Sequence, residues 1–116
     1  MADYLPLFKP GQTVTMTASA KVEGGMAVEV TGDRRVGPAG AASKKYVGVA
    51  GHSAAAEEKV TVHLRSHVQR IKAAGGIAAG DTVECGADGT VKTGSTAPIG
   101  IALAAAQAGE LAQIKD

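Results

Sequence analysis

The chain has 116 residues, 12 of them basic and 11 acidic, so its net charge of +1 supplies no field that would draw it onto nucleic acid or an anionic membrane. Hydrophobic residues make up 45%, yet 23 residues are alanine and a further 16 are glycine, and the aromatic content of 3% comes from Tyr4, Phe8 and Tyr46 alone. One domain with a core short of large side chains is expected, a composition that favours assembly with other copies, and the single Cys85 excludes an intrachain disulfide framework.

Residues 1–11 read as an extended N-terminal arm. Pro6, Pro10 and Gly11 surround Leu5, Leu7 and Phe8, which removes backbone donors and pushes the preceding residues toward extended geometry. The apolar residues of the arm follow no helical period, so they are expected to lie on another surface. This start also lacks the basic region and apolar run of a signal peptide, and no stretch of the chain is apolar for long enough to span a bilayer.

Residues 12–116 are expected to form a single β domain. From Gln12, Val14 and Met16 alternate with Thr13, Thr15 and Thr17, the period of a half-buried strand. Further short strands are predicted at 20–22, 26–30, 46–50, 59–64, 68–71, 82–85, 90–92, 99–103 and 111–114. Between them stand Gly24-Gly25, Gly32-Asp33, Gly75-Gly76, Gly80-Asp81 and Asp88-Gly89, which suit tight turns needing positive φ. A helix is possible only around 102–108, where at most one or two turns are expected, since the matching copy at 51–56 has loop character.

The same strands and turns occur twice. Gly25-Met26-Ala27-Val28-Glu29-Val30-Thr31-Gly32-Asp33 returns as Gly80-Asp81-Thr82-Val83-Glu84-Cys85-Gly86-Ala87-Asp88, at an offset of 55. Tyr46-Val47-Gly48-Val49-Ala50 returns as Pro98-Ile99-Gly100-Ile101-Ala102 at an offset of 52, after a three-residue deletion. The pseudo-repeats span about 22–64 and 77–116. The predicted fold class is all-β: a small barrel or sandwich of short strands with an internal pseudo-repeat, an extended N-terminal arm and at most one short helix.

Little in the chain is free to carry chemistry. His63 and His67 have the four-residue spacing of a helical metal pair, but the alternation of Val60, Val62 and Leu64 makes the segment a strand, where that spacing separates them by roughly 13 Å. Ser66 and His67 interrupt the alternation and predict a bulge or tight turn. Exposed structural histidines are expected, with no metal. Ser53 beside His52 and Ser66 beside His67 do not make a nucleophile and base, because sequence neighbours on a strand face opposite ways. The basic residues Arg34, Arg35, Lys44, Lys45, Arg65, Arg70 and Lys72 read as solvated surface or as a protein-facing contact, since interleaved aromatics for base stacking are missing. The alternative from another class is a lysine-modified swinging-arm carrier of the biotinyl or lipoyl kind, which needs a lysine at an exposed hairpin tip. Lys59 reads as lying inside a strand, and Lys92 lacks the flanking residues.

Tyr4-Leu5-Pro6-Leu7-Phe8-Lys9-Pro10-Gly11-Gln12-Thr13-Val14-Thr15, followed by Gly80-Asp81-Thr82-Val83 and Pro98-Ile99-Gly100-Ile101-Ala102-Leu103, resembles the small capsid decoration, or cement, proteins of tailed bacteriophages. The resemblance covers almost the whole chain. It implies a non-enzymatic structural protein without cofactor, made in the bacterial host cytoplasm and placed on the outer capsid surface of the virion. The implied partners are the major capsid protein and further copies of the chain, as homotrimers at local three-fold positions, with no nucleic acid or membrane involved. Tyr4, Leu5, Pro6, Leu7, Phe8, Lys9 and Pro10 are then expected to be the capsid-binding arm. The segment Leu64-Arg65-Ser66-His67-Val68 is more charged than the glycine-containing turn expected at that place.

Overall fold

The computed structural model describes Leu7 and residues 12–116. Ten short strands follow one another: β1 (Thr13–Ala18), β2 (Ala27–Gly32), β3 (Arg35–Pro38), β4 (Tyr46–Ala50), β5 (Lys59–Leu64), β6 (Val68–Lys72), β7 (Thr82–Cys85), β8 (Val91–Thr93), β9 (Pro98–Ala102) and β10 (Leu111–Lys115). Valines and isoleucines at alternate positions give each strand one inward face; in β5, Val60 and Val62 are fully buried while Lys59 points to solvent.

The first five strands close a barrel in the order β1-β3-β2-β4-β5, and the second five form a sheet in the order β6-β10-β9-β7-β8. The pairing scheme is the same in both copies. β1 with β5, β2 with β3, β2 with β4 and β4 with β5 are matched by β6 with β10, β7 with β8, β7 with β9 and β9 with β10, all antiparallel. A bulge between Val28 and Glu29 recurs between Val83 and Glu84. Even the parallel contact that closes the first barrel, Ala18 with Val36, has its counterpart as a single parallel bridge between Ala73 and Val91. The duplication therefore reaches further toward the N-terminus than 22 and 77, since β1 and β6 belong to it.

Two glycine positions show why the repeat preserves its small residues. Gly25 and Gly80 open β2 and β7 at φ +90° and +87°, the left-handed region that glycine enters without strain. Gly48 and Gly100 sit where the neighbouring strand passes so close that a Cβ would collide with the carbonyls of His63 and Lys115.

The cores repeat residue by residue. Ala18, Val22, Val28, Val36, Ala50, Ala54, Val60 and Val62 pack inside the first barrel. Their equivalents Ala73, Ile77, Val83, Val91, Ala102, Ala106, Ala112 and Ile114 all lie in the second core. That second core also takes in Ala27, Ala39, Tyr46 and Val49 from the first copy, so apolar packing runs across the boundary. Cys85 shows the consequence: it is fully buried there, whereas its equivalent Val30 is 42% exposed.

Three expectations need correction. No helix forms in 102–108; Ala102 ends β9 and Ala106 makes an antiparallel bridge to Ile77. Alanine's helix propensity yields to this pairing, and the one helical turn among the described residues is a 3-10 turn at Ala87–Gly89. Residues 20–22 contribute only a bridge, Val22 to Ala54. Strand β3 was hidden because Gly37 and Pro38 break the alternation.

Candidate interaction surface and the crossover between the copies

Of the expected arm, Tyr4, Leu5, Pro6, Phe8, Lys9 and Pro10 lie outside the described residues, and Leu7 is 79% exposed. The body begins where the Gln12 carbonyl accepts a hydrogen bond from the Leu64 amide at 3.1 Å. This tethers the start of β1 beside the crossover from the first copy to the second.

The crossover is Arg65, Ser66 and His67. Ser66 has φ +80°, and the turn is held by the carboxylate of Asp116, whose Oδ1 accepts from the amides of Ser66 at 2.8 Å and His67 at 3.1 Å. The other oxygen, Oδ2, accepts from the Tyr46 hydroxyl at 2.6 Å and from Gln69 Nε2 at 3.4 Å. Arg65 lies over the Tyr46 ring, 5.3 Å from its centroid, and donates to the Ile99 carbonyl at 3.0 Å. Burial, reinforced by the hydrogen bond to Asp116, pushes the Tyr46 phenol far above its ordinary range. Arg65 and the Asp116 carboxylate thus fasten the two copies together at this turn.

The histidines are corrected in two respects. The turn brings His63 and His67 edge to face at 5.9 Å, far closer than a continuous strand would, and both are half-buried rather than exposed. His67 Nδ1 is 2.6 Å from the Leu64 carbonyl and so carries a proton there. His52 Nε2 accepts from the Thr61 amide at 3.1 Å while its Nδ1 donates to the Ser53 carbonyl at 3.0 Å. Ser53 Oγ accepts from the Gly24 amide at 3.3 Å, so the imidazole and the hydroxyl each bond to backbone groups of the turn. Among the described residues no three or more His, Cys, Asp or Glu side chains gather as a metal site.

The remaining candidates resolve into scaffold as well. Lys59 lies in β5 opposite Thr17, whose hydroxyl accepts from its ammonium at 2.9 Å, and Lys92 lies in β8 opposite Glu84; neither stands at a hairpin tip. Arg35 pairs with Glu57 across the surface. A shallow concavity of about 720 Å³ at one end of the second copy is lined by Ile77, Ala78, Asp81, Ala105, Ala106 and Glu110 among others. Its two carboxylates cap turns: Asp81 accepts from the Ala78 amide and the Thr93 hydroxyl, Glu110 from the Gln107 amide. The backbone bond from Ala78, then that from Thr93, holds the Asp81 carboxyl below its usual range.

Sequence reasoning missed Asp116, which is the last residue of the chain and carries no local signal. It also missed Glu84, which is 4% exposed with Oε2 unpartnered among the described residues.

Comparison with known proteins agrees with the architecture. No match exists among curated proteins. Among solved structures, the head fiber gp8.5 N base of bacteriophage phi29 has a similar fold, with a TM-score of 0.74 at 22% sequence identity, covering 89% of this chain and 91% of that one. Residues 8–115 match the phage cement protein family. That match takes in the end of the arm and both copies of the duplicated body, and the chain belongs to the phage cement protein family.

Proposed function

We propose that this chain is a decoration protein of a tailed bacteriophage that adheres to the outer surface of the capsid, touches the major capsid protein, and strengthens the shell without catalysing a reaction. The observation that carries this reading is the family match, which spans the duplicated body and begins inside the arm at residue 8. The phi29 protein of similar fold is itself part of a phage head.

In this account residues 12–116 act as one rigid body and residues 1–11 as the anchor. Leu7 stands 79% exposed, as an anchor residue awaiting a surface does. Burying Leu5, Leu7 and Phe8 on the capsid contributes on the order of 1.5–3 kcal/mol each in apolar transfer. Trimers at local three-fold positions present three arms at once, which raises the effective affinity without new contacts. Of the polar residues that resemble catalytic candidates, the side chains of His52, Ser53 and His67 bond to backbone groups of turns, and Ser66 is held in its turn through its amide. The protein is made in the host cytoplasm and works on the finished virion.

The test is deletion of residues 2–10 followed by co-sedimentation with expanded capsids stripped of decoration. The truncated chain is expected to keep the circular dichroism of the full chain and to lose capsid binding; unchanged capsid occupancy would reject the arm as the anchor.

A further inference from the structure

The two copies share a core but not an exterior, and one face of the second copy differs from the first in exposing large apolar side chains. In the first copy the outward positions of β1 and β5 are Thr13, Thr15, Thr17, Lys59, Thr61 and His63, a polar surface. The equivalent positions of β6 and β10 are Val68, Arg70, Lys72, Leu111, Gln113 and Lys115. Beside them Gly51 is replaced by Leu103, and the buried Val49 by an exposed Ile101.

Register places these side chains together. Lys115 of β10 is flanked by Val68 on one side and Ile101 on the other. Gln113 is flanked by Arg70 and by Leu103, whose amide donates to the Gln113 carbonyl at 2.9 Å, and Leu111 stands opposite Lys72. Val68, Ile101, Leu103 and Leu111 are 53%, 51%, 51% and 56% exposed, and together they make up four of the six large apolar side chains exposed among the described residues. The equivalent positions of the first copy carry Thr13, Lys59, Gly51 and the buried Val49, so the shared pairing scheme does not require an exposed apolar surface here, and such a surface marks an interaction site.

Charge narrows the choice of what covers it. Arg70, Lys72 and Lys115 project among the apolar side chains, and no carboxylate projects from the outward positions of these three strands. Arg70 and Lys72 make no ion pair among the described residues. A second copy docked two-fold by the same face would set these cations against themselves, which opposes such a dimer; a three-fold contact would pair this face with a different one and is read by light scattering of the free chain. Apolar groups interleaved with Arg70 and Lys72 instead fit a surface with an apolar centre flanked by Asp and Glu, the usual anatomy of a protein interface with arginine at its margin.

We propose that the outward face of β6, β10 and β9 is a second docking surface, additional to the arm, for an apolar patch flanked by carboxylates on the capsid shell. This rests on the reading of the chain as a capsid decoration protein. The first copy supplies matched controls on the same backbone: Arg70→Glu against Thr15→Glu, and Leu111→Asp against Lys59→Asp.

The experiment measures affinity of the full chain and these four variants for decoration-free expanded capsids at about 50 and about 300 mM NaCl, with light scattering of each free protein. Wild-type binding is expected to weaken with salt. Arg70→Glu and Leu111→Asp are expected to lose about tenfold or more in affinity while remaining folded, with Thr15→Glu and Lys59→Asp within about twofold of wild type. If wild type binds and both second-copy variants bind equally well, this face is not a docking surface although the decoration function stands. If wild type does not bind at all, the decoration reading itself falls, and this inference with it. If the second-copy variants instead dissociate an oligomer of the free chain and leave capsid affinity unchanged, the face joins copies of the chain and the proposal is wrong.

Discussion

The Tyr46 hydroxyl donates to the Asp116 carboxylate at 2.6 Å across 70 positions of sequence, joining the first strand of one β-hairpin to the end of the chain. The same carboxylate holds the amides of Ser66 and His67, so one side chain fixes the crossover, the last strand and the first copy's contribution to the second core. Removing Asp116 should therefore cost more than removing the phenol oxygen. In urea unfolding, Tyr46→Phe is expected to destabilise by about 1.5–3 kcal/mol, the range for a hydrogen bond to a charged group, and Asp116→Ala by more. Equal effects would mean that the backbone turn holds without its carboxylate.

Alkaline pH should weaken the fold in two stages. Burial, aided by the nearby Glu29 and Glu84 carboxylates, pushes the Cys85 thiol from its ordinary 9.0 up to about 11, and burial with the Asp116 bond pushes the Tyr46 phenol above its ordinary 10.0. Both groups hold their protons more tightly when folded, so their contribution is complete below about pH 9 and declines as pH rises. Cys85→Ala is expected to remove the decline that begins near pH 9 and to leave the one that begins near pH 10, which Tyr46→Phe removes. Thermal unfolding across pH 7–12 reads this directly; a midpoint independent of pH up to 11 in wild type would contradict it.

Gly48 and Gly100 are equivalent positions with equivalent obstacles, the carbonyls of His63 and Lys115. Alanine at either must push β4 from β5, or β9 from the end of β10. Each substitution is expected to cost about 1–3 kcal/mol, the range for overpacking. Gly75→Ala serves as the control, since nothing lies within 4 Å of its added methyl group, and should leave denaturant stability near wild type.

Much of this architecture is legible in the sequence because the chain states it twice. Gly80-Asp81-Thr82-Val83 identifies its own counterpart, the span of β5 follows from alternation, and those of β4 and β7 follow from the repeat. Residues 102–108 mislead because alanine favours helices locally, whereas the bridge of Ala106 to Ile77 is a long-range fact. Strand β3 is obscured by Gly37 and Pro38. The clamp at Asp116 is invisible to any local pattern, since its partners Tyr46, Ser66 and Gln69 are distant in sequence and reach it only through the packing of the two copies. The apolar face of the second copy, by contrast, is written in the exchange of Thr13, Thr15 and Lys59 for Val68, Arg70 and Leu111. It becomes readable once the duplication is aligned strand by strand.

Cryo-electron microscopy of expanded capsids saturated with the full chain tests the central claim, that the protein acts by adhering to the shell. The account predicts added density on the outer surface at local three-fold positions, with the barrel and the second sheet resolved and residues 1–11 laid against the capsid. Saturated capsids indistinguishable from undecorated ones, or density that leaves those leading residues in solvent, would contradict it.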